Sequence, residues 1–116
     1  MNAVTNSDPA VEEVEFRAFR GTQRSATYRA RILDAHALSQ MVETAAREHL
    51  RVLAQLRPDR PTELDPAAAR ELASELSELR APALLLDLDA DLVALAEVAN
   101  WCARSREKAS LRIASR

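Results

Sequence analysis

The fold is decided by residues 14–32, which read VEFRAFRGTQRSATYRARI. Apolar residues occupy every second position from Val14 to Ala18, and they do so again from Ala26 to Ile32, after the connector Gly21–Arg24. Successive side chains of a strand point to opposite faces of a sheet. Two alternating runs around a short glycine-containing connector therefore predict an antiparallel hairpin.

The two faces of this hairpin are predicted to differ in chemistry. The face against the core is expected to carry Val14, Phe16, Ala18, Ala26, Tyr28, Ala30 and Ile32. The opposite face carries Arg17, Arg29 and Arg31 and should meet water or a partner. Alternation returns over Ser110–Ala114, which predicts a last strand. If that strand pairs beside the hairpin, Arg112 joins the same arginine face.

Helical spacing of apolar residues dominates the middle of the chain. Asp34 stands in an N-cap position before the first helix, which is predicted to continue to about Leu56. The second helix has a clear start, with Asp65 as the N-cap and Pro66 at the first helical position. Pro82 is expected to bound its end.

A third helix is predicted from Asp89 to about Arg106, and the apolar segment Ala83–Leu88 before it is either a buried strand or the lead-in to that helix. The element order is then β-β-α-α-(β)-α-β. The hairpin and the C-terminal strand share one sheet, packed by about three helices, which is an α+β fold. Residues 1–11 are interpreted as a flexible N-terminal arm, and residues 12–116 as a single domain.

Composition narrows the class of protein. The chain has 116 residues, of which 47% are hydrophobic and only 3% aromatic, so its core must consist of Ala, Leu and Val. A single glycine excludes glycine-rich phosphate loops and dinucleotide-binding fingerprints. Cys102 is the only cysteine, which fits a reducing compartment, and we expect a cytoplasmic protein. Apolar runs are too short to cross a bilayer, so no membrane partner is expected.

The charges are unevenly distributed, although the net charge is only -2. Residues 16–32 contain five arginines and no acidic residue, whereas residues 62–97 contain nine acidic residues and two arginines. We therefore expect a basic sheet side and an acidic helical side, which a near-zero net charge would conceal.

One segment suggests phosphoryl chemistry. Leu84–Val93 is an apolar run followed by Asp-x-Asp, and it resembles the first motif of haloacid-dehalogenase-type phosphotransferases. The resemblance implies Asp87 as the nucleophile and Asp89 as the general acid. That family has a downstream lysine and an acidic cluster, and the 27 residues after Asp89 hold no such cluster. We interpret the segment as a buried run followed by helix-capping aspartates.

Other reactive side chains are sparse. His36 and His49 lie thirteen residues apart, and neither pairs with Cys102 at a spacing used by zinc sites. Cys102 falls on an Ala/Leu helix face, where it is interpreted as core filling. The sequence thus predicts no catalytic set, no metal and no cofactor, and we expect a protein that is not an enzyme.

Binding is the function left by these exclusions. The planar guanidinium group of arginine makes bidentate hydrogen bonds to carboxylate and phosphate groups. Trp and Arg are also enriched at binding hot spots. We predict a non-enzymatic protein-interaction or regulatory module, of the adaptor, inhibitor, immunity or antitoxin type, that docks through a charged face. The candidate partner-binding residues are Arg17, Arg29, Arg31, Trp101, Arg104 and Arg112.

Two alternatives stay open for the partner. The complementary charges of the two sides also allow a homodimer. Alternatively, the chain is a nucleic-acid-binding regulator that uses Arg17, Arg29, Arg31 and Arg112. The acidic pI of about 5.7 disfavours this second alternative, because nucleic-acid-binding domains typically have a pI above about 9.

Overall fold

The computed structural model describes residues 12–21, 27–83, 88–106 and 108–116. The elements are β1 (Glu13–Arg20), β2 (Thr27–Asp34), α1 (Ala35–Arg47), α2 (Arg51–Ala54), β3 (Thr62–Leu64), α3 (Pro66–Ala83), α4 (Asp89–Ala103) and β4 (Ala109–Ser115). The four strands form one antiparallel sheet in the order β2-β1-β4-β3, with the helices on one face. The predicted α+β fold and hairpin are confirmed, while the predicted arm, residues 1–11, lies outside the described residues.

The core lies between the helices and the two central strands. Val14, Phe16 and Ala18 of β1 have no solvent exposure, and neither do Leu111 and Ile113 of β4. Side chains of the helices, mostly leucine and alanine, complete the core, and they include Leu38, Met41, Leu72, Leu76, Leu79, Leu92, Leu95 and Ala99. Burial of this apolar surface supplies the main driving force for folding. Cys102 is part of the same cluster, as its helix face predicted.

The faces of β2 are opposite to those predicted. Phe16 pairs with Arg31 and Ala18 with Arg29, and directly paired residues share a face of the sheet, so both arginines lie on the helix side. Tyr28 and Ile32 lie on the opposite side of the sheet, away from the helices, which we call the outer face. Their side chains are 60% and 43% exposed. The prediction that Tyr28, Ala30 and Ile32 contact the core is wrong, and Ala26 lies outside the described residues.

The reason is the position of β2 at the edge of the sheet. Only Leu33 among the helix-side residues of β2 is buried. The helical layer does not cover the strand from Thr27 to Ile32. The alternation of apolar and polar residues in this stretch therefore does not indicate which face of the strand meets the core. Arg17 and Arg112 face outward as a cross-strand pair, whereas Arg29 and Arg31 do not. The prediction of one shared arginine face is therefore also wrong.

The first predicted helix is divided into two. It ends at Arg47 instead of continuing to Leu56, and His49 adopts a left-handed conformation with φ of 59°. The Leu50 amide donates to the Ala45 carbonyl (2.9 Å), and the His49 amide donates to the Ala46 carbonyl (3.3 Å). These two bonds form a Schellman motif, which terminates a helix and usually has glycine at the left-handed position.

The two predicted N-caps differ in outcome. The Ala68 amide donates to Oδ1 of Asp65 at 2.8 Å, which confirms the predicted start of α3. Asp34 is the N-cap residue of α1, as predicted, but its carboxylate makes no capping hydrogen bond. Asp34 is also the last residue of β2, where it pairs with Glu13.

The remaining boundaries are set by packing. Strand β3 was not predicted, because three residues are too few for a periodic pattern, and it forms against the edge of β4. Helix α3 continues past Pro82 to Ala83, and α4 ends at Ala103 instead of about Arg106. Of the ambiguous segment 83–88, Ala83 is helical and Leu88 precedes α4, while residues 84–87, including Asp87, lie outside the described residues.

A buried carboxylate joins the short helix α2 to α3. The Val52 amide donates to Oε2 of Glu75 at 3.1 Å, and the Leu53 amide donates to Oε1 at 2.8 Å. Glu75 is only 6% exposed, yet both oxygens receive a hydrogen bond from amides that a helix start leaves unsatisfied. This carboxylate therefore positions α2 over the core.

Glu75→Ala is expected to lower the free energy of unfolding by about 1–3 kcal/mol, because two buried amides lose their acceptor. Urea denaturation followed by circular dichroism measures this change. Glu78→Ala, an exposed glutamate of the same helix, is the control and should have little effect. Equal losses in both variants would contradict the capping role.

His49→Gly is expected to raise the free energy of unfolding by about 0.5–1 kcal/mol, because glycine adopts a left-handed backbone without steric penalty. The matched control is Glu48→Gly, since Glu48 has an ordinary φ of -94°. That control should lower stability through the greater freedom of the unfolded chain. The same urea experiment compares the two, and a stability loss in His49→Gly would refute the argument.

Candidate functional site

A groove lies between the uncovered part of β2 and the C-terminal half of α4. Its volume is about 560 Å³. The charged and aromatic residues of its lining are Arg20, Arg29, Arg31, Glu97, Trp101 and Arg104. The groove exists because β2 extends beyond the helical layer, which leaves the helix-side arginines of this strand facing α4 across open space. We call it the arginine groove.

Arg20 holds Trp101 at one end of the groove. Its Nε and Nη2 atoms donate to the Trp101 carbonyl at 3.2 and 2.6 Å. The Arg20 guanidinium carbon also lies 4.2 Å from the centroid of the Trp101 ring, and that of Arg29 lies 5.6 Å from it. Both distances are within the range of cation–π attraction. The half-buried indole is therefore fixed in place by hydrogen bonds to its backbone and by cations over its ring.

Three arginines of the groove have no acidic partner within the part of the chain that the structure describes. The ion pairs among the described residues involve Arg17, Arg51 and Arg116, and none of them involves Arg29, Arg31 or Arg104. These three residues are exposed. Glu97 is the acidic residue in the lining. The arginine groove is thus strongly electropositive in a chain whose net charge is negative.

The structure divides the six predicted binding residues into two groups. Arg29, Arg31, Trp101 and Arg104 come together in the arginine groove. The other two, Arg17 and Arg112, lie on the outer face of the sheet, as described above. The clustering of arginines in the sequence could not predict this division. It depends on which face of the sheet each arginine side chain lies on.

Sequence reasoning missed Arg20 as a site residue. A signal was present, because Arg20 continues the alternation of Val14, Phe16 and Ala18 and therefore lies on the helix side of β1. An arginine at the end of an apolar strand face must reach a polar group at the margin of the core. Here that group is the Trp101 carbonyl.

Arg17 has a different environment on the outer face. It forms an ion pair with Glu15 (3.0 Å), and its guanidinium lies 5.1 Å from the Tyr28 ring centroid. Its Nε is buried without an acceptor among the described residues. An ion pair this exposed contributes at most about 1 kcal/mol. Arg17 is thus occupied by neighbours within its own sheet.

Nucleophilic and metal chemistry have little support in the described part of the chain. Burial raises the pKa of the Cys102 thiol above its ordinary value; Arg20 opposes this effect and Asp65 adds to it. A buried thiol with a raised pKa holds little thiolate at neutral pH and is a poor nucleophile. Residues 12–21, 27–83, 88–106 and 108–116 contain no cluster of three or more potential metal ligands, and they include no helix that is long and apolar enough to span a membrane.

The chain matches no family model, no curated protein and no solved structure.

Arg20→Gln is expected to lower the free energy of unfolding by about 1–2 kcal/mol and to shift Trp101 fluorescence to longer wavelength. The variant loses the bonds to the Trp101 carbonyl and the cation over the ring, so the indole gains solvent. Urea denaturation and emission spectra measure both effects. Arg104→Gln, in the same groove, is the control and should change stability by less than about 0.5 kcal/mol. Matching effects in the two variants would rule out a positioning role for Arg20.

Proposed function

We propose that this protein is a non-enzymatic binding module whose arginine groove receives an acidic segment of a partner protein. The observation that carries the proposal is the convergence of Arg29, Arg31 and Arg104, none of them ion-paired within the described chain, around a fixed Trp101. Unpaired guanidinium groups that share one concave surface are suited to several carboxylates at once.

The groove chemistry matches an acidic peptide. Each guanidinium group can donate two parallel hydrogen bonds to a carboxylate. The groove volume of about 560 Å³ is within the usual range for a binding pocket and accommodates a few side chains. Trp101 provides a rigid apolar surface beside the charges, a combination typical of interface hot spots.

A protein partner is favoured over a nucleic acid by the state of the aromatic ring. Binding to single strands depends on bases that stack on open aromatic faces, and Arg20 already lies 4.2 Å over the centroid of the Trp101 ring. A short acidic segment binds through its carboxylates and does not need an open aromatic face.

The same proposal covers the type of protein and its location. An adaptor, inhibitor, immunity or antitoxin role fits a small domain with one charged groove. We place the protein in the cytoplasm, where the unpaired thiol of Cys102 stays reduced. The low reactivity of that thiol supports binding over covalent catalysis.

Poly-L-glutamate is the probe for the first test, and the single tryptophan is the reporter. Titration at low salt is expected to change Trp101 fluorescence, with binding that weakens as salt is added. The double variant Arg29→Gln/Arg31→Gln should bind at least tenfold more weakly, because it loses two charge-assisted contacts.

The matched control is Arg17→Gln/Arg112→Gln, which removes the same charge from the outer face of the sheet. It should bind poly-L-glutamate within about twofold of the unaltered protein. Equal weakening in both double variants would show that overall charge, and not the groove, attracts the probe. No binding of poly-L-glutamate, together with groove-dependent binding of oligothymidylate, would overturn the proposal in favour of the nucleic-acid alternative.

A further inference from the structure

The outer face of the sheet carries an exposed apolar row on the side away from the arginine groove. Tyr28 and Ile32 are two of the three most exposed large hydrophobic residues described, and exposed Ala30 lies between them on β2. Phe19 of β1 adjoins the row, with its ring centroid 6.3 Å from that of Tyr28. A contiguous exposed apolar surface on a rigid sheet is typical of an interaction site.

The charges around this row have both signs. The acidic residues on this face are Glu13, Glu15, Asp34 and Glu63, and the arginines are Arg17, Arg112 and Arg116. Arg17 is ion-paired with Glu15 and Arg116 with Glu13, which leaves Arg112, Asp34 and Glu63 without an ion pair among the described residues. A strongly acidic or basic partner would meet like charges on such a face. A second copy of the same face presents the complementary signs, because a two-fold axis can place an arginine of one copy opposite an acidic residue of the other.

We propose that two copies of this chain associate through their outer sheet faces. In this dimer the apolar rows on β2 and β1 pack against each other, with the two sheets about 10 Å apart, the ordinary spacing of stacked sheets. The dimer then has four layers, and each sheet lies between its own helices and the sheet of the other copy. The inference is independent of the arginine groove, which stays open on the other side of the sheet.

The size of the face suits a weak, reversible contact. Strands β2, β1 and β4 are seven or eight residues long, which at about 4.8 Å between strands gives a platform roughly 15 Å wide and about 25 Å long. Strand β3 adds only three residues. Such a platform is smaller than the roughly 800 Å² per partner of a standard interface, so we expect a dimer that dissociates on dilution. The aromatic residues Phe19 and Tyr28 lie within the platform and would provide the anchors.

Sedimentation velocity of the full chain, from about 1 to 500 μM, tests the dimer. The unaltered protein is expected to approach twice the 12.8 kDa of one chain. Ile32→Glu should shift the dissociation constant at least 100-fold, because each dimer then buries two unpaired carboxylates. The matched control is Val93→Glu, since Val93 on α4 is similarly exposed, at 39%, but lies in the helical layer.

Each outcome decides the inference. Loss of the dimer in Ile32→Glu, its persistence in Val93→Glu, and a native circular dichroism spectrum for both variants would support it. A monomeric unaltered protein at 500 μM overturns it, and so does a dimer that survives Ile32→Glu. A dimer that dissociates in Arg29→Gln/Arg31→Gln also overturns it, because self-association would then use the groove and the acidic helices.

Discussion

The antiparallel pairing of β2 with β1 is the interaction on which both candidate surfaces depend. It places Arg29 and Arg31 beside Ala18 and Phe16, on the helix side of the sheet. Of the helix-side residues of β2, the helices cover only Leu33. The two arginines therefore remain outside the core and face α4 across the arginine groove. A shift of one residue in this pairing would exchange all the side chains of β2 between the two faces. Groove and outer apolar row would then be lost together.

Strand β2 therefore serves two surfaces with different chemistry. Its helix-side positions are cationic and contribute to a concave site, whereas its outward positions, Tyr28 to Ile32, are apolar and belong to a flat one. An edge strand also has open backbone groups that invite pairing with other chains. Arginines along this edge disfavour direct pairing with a second β2, since like charges would be brought together. Association through the outer face would leave that edge free.

Arg20, Glu75 and His49 show how polar groups define the margins of an otherwise aliphatic core. Arg20 ties the end of β1 to α4 through the Trp101 carbonyl, and Glu75 ties α3 to the start of α2. His49 turns the chain between α1 and α2 through a left-handed backbone. Leucine and alanine side chains pack in many similar ways, so directional contacts of this kind help to select one arrangement of the helices. Both Arg20 and Glu75 connect elements that are distant in sequence.

The sequence by itself determined the local features of this protein: the hairpin, the last strand, the start of α3 at Asp65 and the α+β class. Each depends on periodicity or capping within a few neighbouring residues. Only the tertiary structure decided which face of β2 meets the helices. In an edge strand that no helix covers, the alternation of apolar and polar residues does not indicate which face is buried. It also decided that Arg29, Arg31 and Arg104 surround Trp101 while Arg17 and Arg112 face away. Those groupings arise from strand register and helix placement, which bring together residues from opposite ends of the chain, such as Arg17 and Arg112.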